Sequence, residues 1–210
     1  SGKDSGSSEK VLVLPGIGVD LNHYEFSAMP RSEVNFLFLS RLLKAKGLHD
    51  FMDAASEMKD RKSKASFSVY GQVDDSVHGV ESEVLDRMHE DGVIRYGGVV
   101  HDVREVIKSA HVLVLPTFYR EGLPRCIQEA MAMGRPVITT DFSGCSEIIE
   151  EKVNGFVVPS QNVPSLVEAM EWFCSNREKF KKLAVESRSA AERHFDCERS
   201  DEILQEILCG

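Results

Sequence analysis

Arg41 and Lys46 sit close together in a stretch that could hold an anion. The run is Ser40-Arg41-Leu42-Leu43-Lys44-Ala45-Lys46-Gly47, and a helical pattern follows it. An arginine can fork two hydrogen bonds onto a phosphate, and a lysine adds a mobile point charge. A helix starting after Gly47 would add backbone N–H donors and a positive dipole end. These groups make a coherent diphosphate site. On spacing alone, a solvated basic loop is the plainer explanation. The run Pro116-Thr117-Phe118-Tyr119-Arg120-Glu121-Gly122-Leu123-Pro124 leads into a helical pattern carrying Glu129. Gly122 would let backbone amides approach a ligand closely. Glu129 stands beside Ile127, Ala130 and Met131, so its carboxylate needs partners if buried. A vicinal diol would supply two donors, as ribose does to the acidic residue of dinucleotide folds. The bland alternative is a solvent-facing Glu129 and a Glu121 that merely favours a helix start.

The elements that must position these residues alternate. Apolar, β-rich runs cover residues 11–14, 34–39, 65–70, 93–96, 112–115, 136–139 and 156–158. Helical patterns cover residues 47–58, 79–90, 125–133 and a short 144–150, and Asp102 could cap a helix reaching Ser109. Gly134 would close the helix that starts at Arg125. Residues 163–208 read as helical and polar on their outer faces. Strands alternating with helices predict βαβ units and a mostly parallel sheet. Continuously apolar strands predict cover on both faces. The expected fold is a single doubly wound, Rossmann-like α/β domain over residues 11–195. Residues 1–10 read as a disordered linker or a non-native remnant, and 196–210 as a terminal crossover-type helix. In such sheets ligands bind beyond the carboxyl ends of the strands. Both chemical stretches follow strands.

Other signals fall away. Gly16-Ile17-Gly18 lacks its third glycine, since Leu21 occupies that position, and no P-loop is present. Ser143-Gly144-Cys145-Ser146 has no nucleophile elbow around it. The five cysteines have no C-x-x-C spacing, which points away from a disulfide framework and towards a reducing cytosol. The seven histidines are scattered, so no metal site is expected, and His101 and His111 read as structural. A net charge of -9 without a basic cluster disfavours nucleic acid and anionic lipid. No apolar run approaches the ~18–20 residues a membrane span requires.

The ordered set of motifs resembles the C-terminal domain of the retaining GT-B glycosyltransferases of the group 1 family. Pro15-Gly16-Ile17-Gly18-Val19-Asp20 is similar to that family's interdomain P-x-G-V-D segment. Ser40-Arg41-Leu42 with Lys46-Gly47 is similar to G-R-L-x3-K-G. Tyr96-Gly97 and the run from Ala110 to Pro116 follow in family order. Glu121-Gly122-Leu123-Pro124 through Glu129-Ala130-Met131-Ala132-Met133-Gly134-Arg135-Pro136-Val137-Ile138 resembles E-G-x6-E-A-M-A-x-G-x-P-V-I. Gly144, Glu147, Asn154 and Gly155 continue the pattern. Ser40 in place of the usual glycine is a departure. Gly16-Ile17-Gly18 in place of Asn-Gly is another, and it is similar to transferases acting on polyprenyl-diphosphate-linked sugars.

The resemblance implies roles. Arg41 and Lys46 would hold the donor diphosphate and stabilise the leaving group without a metal. Glu121 would bind hydroxyls of the transferred sugar, helped by amides around Gly122, Leu123 and Pro124. Glu129 would bind the ribose, and backbone near Arg95, Tyr96 and Gly97 would line the base pocket. Arg41, Lys46 and Glu121 are thus the expected catalytic residues. The implied activity is retaining, metal-independent hexosyl transfer, by front-face attack, from a nucleotide-diphosphate sugar, with a uridine diphosphate sugar preferred. No cofactor is expected. The acceptor would be a glycan or polyprenyl-linked sugar in bacterial surface polysaccharide assembly. The implied setting is cytoplasmic, with at most peripheral membrane association in the full-length protein. The partner would be an N-terminal acceptor domain, without which this chain is expected to bind donor but not transfer it. A GT-B nucleotide-sugar epimerase and a non-catalytic sugar-nucleotide-binding module remain alternatives.

Overall fold

The computed structural model describes residues 18–74, 76–119, 122–141, 144 and 146–197. The expected strand at 11–14, the linker at 1–10 and the terminal helix beyond residue 197 lie outside them. The described strands are β1 (Val34–Leu39), β2 (Ala65–Tyr70), β3 (Arg95–Tyr96), β4 (Val112–Leu115), β5 (Val137–Thr140) and β6 (Gly155–Val158). The helices are α1 (Leu48–Asp60), α2 (Ser82–Glu90), α3 (Arg104–Ser109), α4 (Arg125–Ala132), α5 (Val163–Ser175) and α6 (Phe180–His194).

The strands form one sheet in the order β3-β2-β1-β4-β5-β6. Every pairing in it is parallel. The order reverses between β1 and β4. The crossover through α1 runs one way along the sheet and that through α4 runs the other. Right-handed crossovers then put α1 and α4 on opposite faces. Helix α1 packs with α5, and α4 with α6. With both faces covered, β4 and β5 are buried along their whole length. This explains why β4 is a continuous apolar run rather than an alternating one; in β5 the buried Thr139 and Thr140 hydroxyls donate to the Leu115 and Thr117 carbonyls.

Aromatic packing fixes α1 to the sheet. The Phe51 ring lies 5.6 Å from Phe38 and 6.2 Å from Phe67, centroid to centroid. Leu48, Met52, Ala55 and Met58 complete its buried stripe. Burial of each such large side chain stabilises by about 1.5–3 kcal/mol. At the end of α4, Gly134 is left-handed, with φ of 76°. Its N–H donates to the Met131 carbonyl, and that of Arg135 to the Ala130 carbonyl. This pair of bonds is the Schellman closure a helix makes around a left-handed glycine.

The structure differs from the sequence reading in places. Among the described residues of 144–150, turns replace the expected short helix. The Asn154 side chain takes over that backbone: Oδ1 accepts from the Glu150 N–H at 2.8 Å, and Nδ2 donates to the Ile148 carbonyl at 3.0 Å. A side chain that bonds the backbone competes with the helical ladder. The acidic helix begins at Ser82, because Gly79 is instead drawn into a bridge with Leu43. The terminal helical stretch is broken after Ser175, and a 3-10 turn at Arg177–Lys179 separates α5 from α6. No helix of the described residues is long and apolar enough to cross a membrane.

Candidate functional site

The reversal of strand order opens a crevice at the carboxyl ends of β1 and β4, where ligands bind in folds of this kind. Both chemical stretches leave the sheet there. The chain after β1 is zipped to the neighbouring loop: Leu42 N–H donates to the Gln72 carbonyl and Lys44 N–H to that of His78, each at 2.9 Å. It then makes a 3-10 turn, Lys44–Lys46, and enters α1 through Gly47. Gly47 is left-handed, with φ of 78°, and a Cβ there would lie 2.1 Å from the Pro116 carbonyl oxygen. A glycine is therefore required by both backbone angle and the close approach of β4's end. Two further bonds tie the two loops, and a third braces the second of them. Phe118 N–H and the Thr117 hydroxyl both donate to the Ala45 carbonyl, at 2.9 and 3.1 Å, and Thr117 Oγ1 accepts from Tyr119 N–H at 3.2 Å.

The result is a cleft of about 500 Å³ lined by Arg41, Leu43, Lys44, Ala45, Asp74, Ser76, His78, Phe118 and Tyr119. Arg41 is exposed there. Hydrogen bonds from Ser76 hold the Asp74 carboxyl below the usual carboxylate range, and the Arg41 charge acts in the same direction. Lys46 is 7% exposed and its Nζ lies 5.6 Å from the centre of the Tyr119 ring. Helix α1 has no side-chain N-cap hydrogen bond. Its first N–H groups have the orientation that suits an anion.

Glu129 lies on α4 and is 7% exposed. Its burial demands donors, and two are supplied. The Tyr24 hydroxyl donates to Oε1 at 2.8 Å, and Arg125 Nε donates to the same oxygen at 2.9 Å. Burial, then the bond to Glu129, pushes the Tyr24 phenol up to about 12. Pro124 is the N-cap of α4, and that helix also has no side-chain cap bond. Leu123 is tied down through its carbonyl, which accepts from Gln128 Nε2 at 3.2 Å. Gly122 is exposed, with nothing within 4 Å of the place its Cβ would occupy. Glu121 lies outside the described residues.

The expected base pocket is at the end of β3. Gly97 N–H donates to the Val69 carbonyl at 3.0 Å, and a Cβ on Gly97 would lie 2.1 Å from the Tyr70 ring. The Tyr96 hydroxyl donates to the Gly71 carbonyl at 3.1 Å, which locks the β2 and β3 ends together. Among the predicted site residues, Arg41 lines the cleft and Lys46 adjoins it through Tyr119. Glu129, Tyr96 and Gly97 do not line that cleft. Tyr96 and Gly97 stand at the carboxyl end of β3, and Glu129 stands on α4, the helix that follows β4.

Residues 33–176 match the family described as glycosyl transferases group 1. The chain belongs to that family. A relative from Campylobacter jejuni subsp. jejuni serotype O:2, N,N'-diacetylbacillosaminyl-diphospho-undecaprenol alpha-1,3-N-acetylgalactosaminyltransferase, is 28% identical, over 76% of this chain and 44% of its own. The putative colanic acid biosynthesis glycosyltransferase WcaL of Escherichia coli K12 is 23% identical, over 97% of this chain and 52% of its own. The chain thus spans about half the length of these curated relatives. Anabaena HepE in complex with UDP superposes with a TM-score of 0.81 at 20% identity, over 91% of this chain and 56% of that one. The C-terminal domain of the group 1 protein LpcC from Francisella tularensis superposes with a TM-score of 0.73 at 20% identity, over 85% of this chain and 99% of that domain. The group 1 domain described here therefore has the Rossmann-like architecture of the C-terminal half of a GT-B fold.

Tyr24 and Arg125 were not legible as site residues. For Arg125 a signal existed, since residues four apart on a helix meet. For Tyr24, 105 residues from Glu129, there was none.

Proposed function

We propose that this chain is the nucleotide-sugar-binding domain of a retaining, metal-independent glycosyltransferase. The observation that carries the reading is the placement of Arg41 and Lys46 after β1, opposite the β4–α4 segment bearing Glu129, across the reversal point of the sheet. The Arg41 guanidinium and Lys46 ammonium would bind the donor diphosphate and stabilise the charge that grows on the leaving phosphate. The uncapped start of α1 would add N–H donors from below. Glu129 would accept from ribose hydroxyls, and Glu121 with the amides of Gly122 and Leu123 would hold the transferred sugar. Backbone at Tyr96 and Gly97 would meet the base.

A uridine diphosphate sugar is the preferred donor, in keeping with the UDP held by the Anabaena structure of the same fold. The names of the relatives, one acting on a diphospho-undecaprenol-linked sugar and one in colanic acid biosynthesis, favour a lipid-linked or glycan acceptor and a role in surface polysaccharide assembly. That acceptor would be held by a second, N-terminal domain. Calorimetric titration with UDP, GDP and ADP tests the site. UDP is expected to bind most tightly. Glu129→Ala and Lys46→Ala should each weaken it about tenfold or more, the scale of a lost charge-assisted hydrogen bond. Unchanged binding in both variants refutes the site.

A further inference from the structure

A carboxylate that is to accept from two ribose hydroxyls must be held in one orientation before the ligand arrives, or binding must supply the ordering. Two groups hold Glu129, and they are unequal. Arg125 is an exposed partner four residues away on the same helix, its side chain 73% exposed. Such a pair contributes little and fixes orientation poorly. Tyr24 is buried, at 7% exposure, and reaches the carboxylate from a segment remote in sequence.

That segment is itself held from several sides. Asp20 Oδ1 accepts from the N–H groups of Asn22 and His23, at 2.8 and 3.0 Å, and its carbonyl accepts from Tyr24 N–H at 2.9 Å. The turn so formed is anchored where Val19 N–H donates to the Phe195 carbonyl at 2.7 Å. Arg188 of α6 donates from Nη1 to the Tyr24 and Ala132 carbonyls, each at 2.9 Å. One guanidinium thus joins the Tyr24 backbone to the end of α4, the helix that carries Glu129. The tyrosine is thus held by its backbone from several sides, and its hydroxyl donates to Glu129. Both donors fall on Oε1.

We propose that Tyr24 is a positioning residue for ribose recognition: by donating to Glu129 Oε1 it orients the carboxylate so that Oε2 meets the ribose hydroxyls of a nucleoside diphosphate. This rests on the function proposed above. With a phenol raised to about 12 by burial, Tyr24 stays a donor throughout the physiological range. Tyr24→Phe keeps the ring and its packing and removes only the donor.

The test compares titrations of the chain with UDP and with 2',3'-dideoxyuridine diphosphate, which lacks both hydroxyls. The wild type should prefer UDP, and Tyr24→Phe should shrink that preference about tenfold, the lower end of the scale for one hydrogen bond to a charged group. In a Glu129→Ala background, Tyr24→Phe should have no further effect, because the tyrosine acts only through that carboxylate. A wild-type preference retained by Tyr24→Phe overturns the inference, as does a full effect in the Glu129→Ala background. A wild type that does not bind UDP, or a Glu129→Ala variant that binds it as tightly as wild type, would instead remove the site and the inference with it.

Discussion

Arg135 and His111 show how single polar side chains hold the scaffold without entering the site. Arg135 is completely buried, and burial pulls its guanidinium down to about 10, still charged at neutral pH. Its donors reach the carbonyls of Ile107, Ser27, Met133 and Lys108 and the Ser27 hydroxyl, at 2.7–3.1 Å. It staples the segment before β1 to α3 and α4. His111, also fully buried, accepts at Nδ1 from Asn35 N–H and donates from Nε2 to the Pro30 carbonyl, at 3.0 and 3.1 Å. Those two bonds fix the neutral tautomer. Burial lowers its pKa from 6.5 to about 4, and the Arg177 and Arg135 charges add to this. The unfolded chain therefore binds the proton first as pH falls. The His111 contribution is whole above about pH 6.5 and is lost progressively down to about 4. His111→Gln, which can serve the same two backbone groups, should lose about 2 kcal/mol less than wild type between pH 6.5 and 4.5, measured from urea midpoints. Equal losses would show that His111 is protonated alike in both states. That His111 is structural could be read from the sequence only as the lack of clustering partners. Which backbone groups it and Arg135 serve could not, because those groups lie on other elements.

The strands and helices were legible where one physical cause dominated. The bounds of β1 and β4 follow from apolar runs that two covered faces demand, whereas β2 alternates serines with Ala65, Phe67 and Val69 and leaves Ser66 exposed. Residues 144–150 were misread because their composition permits a helix while Asn154 claims their backbone. Among connecting elements the glycines separate into two kinds. Gly47→Ala places a Cβ against the Pro116 carbonyl at a left-handed position, so it should cost about 2 kcal/mol in thermal or urea unfolding and weaken UDP binding as the phosphate loop shifts. Gly122→Ala meets open space. It should change unfolding by less than about 0.5 kcal/mol yet weaken UDP binding, if the glycine is there to admit a ligand. A Gly122→Ala protein that binds UDP normally would remove that role.

At the scale of the molecule, the strand order decides where the site is. Reversal between β1 and β4 brings two loops that are far apart in sequence to one crevice. The chain spans about half the length of the curated relatives it matches, and closure of a domain or loop over a bound substrate often completes a catalytic site. On the proposed reading, this chain binds UDP but does not transfer sugar to an acceptor, whereas a chain that also carries the acceptor domain does both. Release of UDP from a UDP-sugar in the presence of a lipid-linked acceptor, followed for each, measures the difference. Efficient transfer by residues 1–210 alone would contradict it. The sequence by itself determined the alternation of elements, the α/β class and the family, because periodicity and ordered motifs are local properties of the chain. It also nominated Arg41, Lys46, Glu121 and Glu129, which their type and position after strands made physically sensible and which the ordered family motifs singled out. Only the tertiary structure decided what Glu129 touches. Tyr24 reaches it across 105 residues because crossover, Schellman closure and the Arg188 clamp bring the segment before β1 against α4, and no local pattern encodes that meeting.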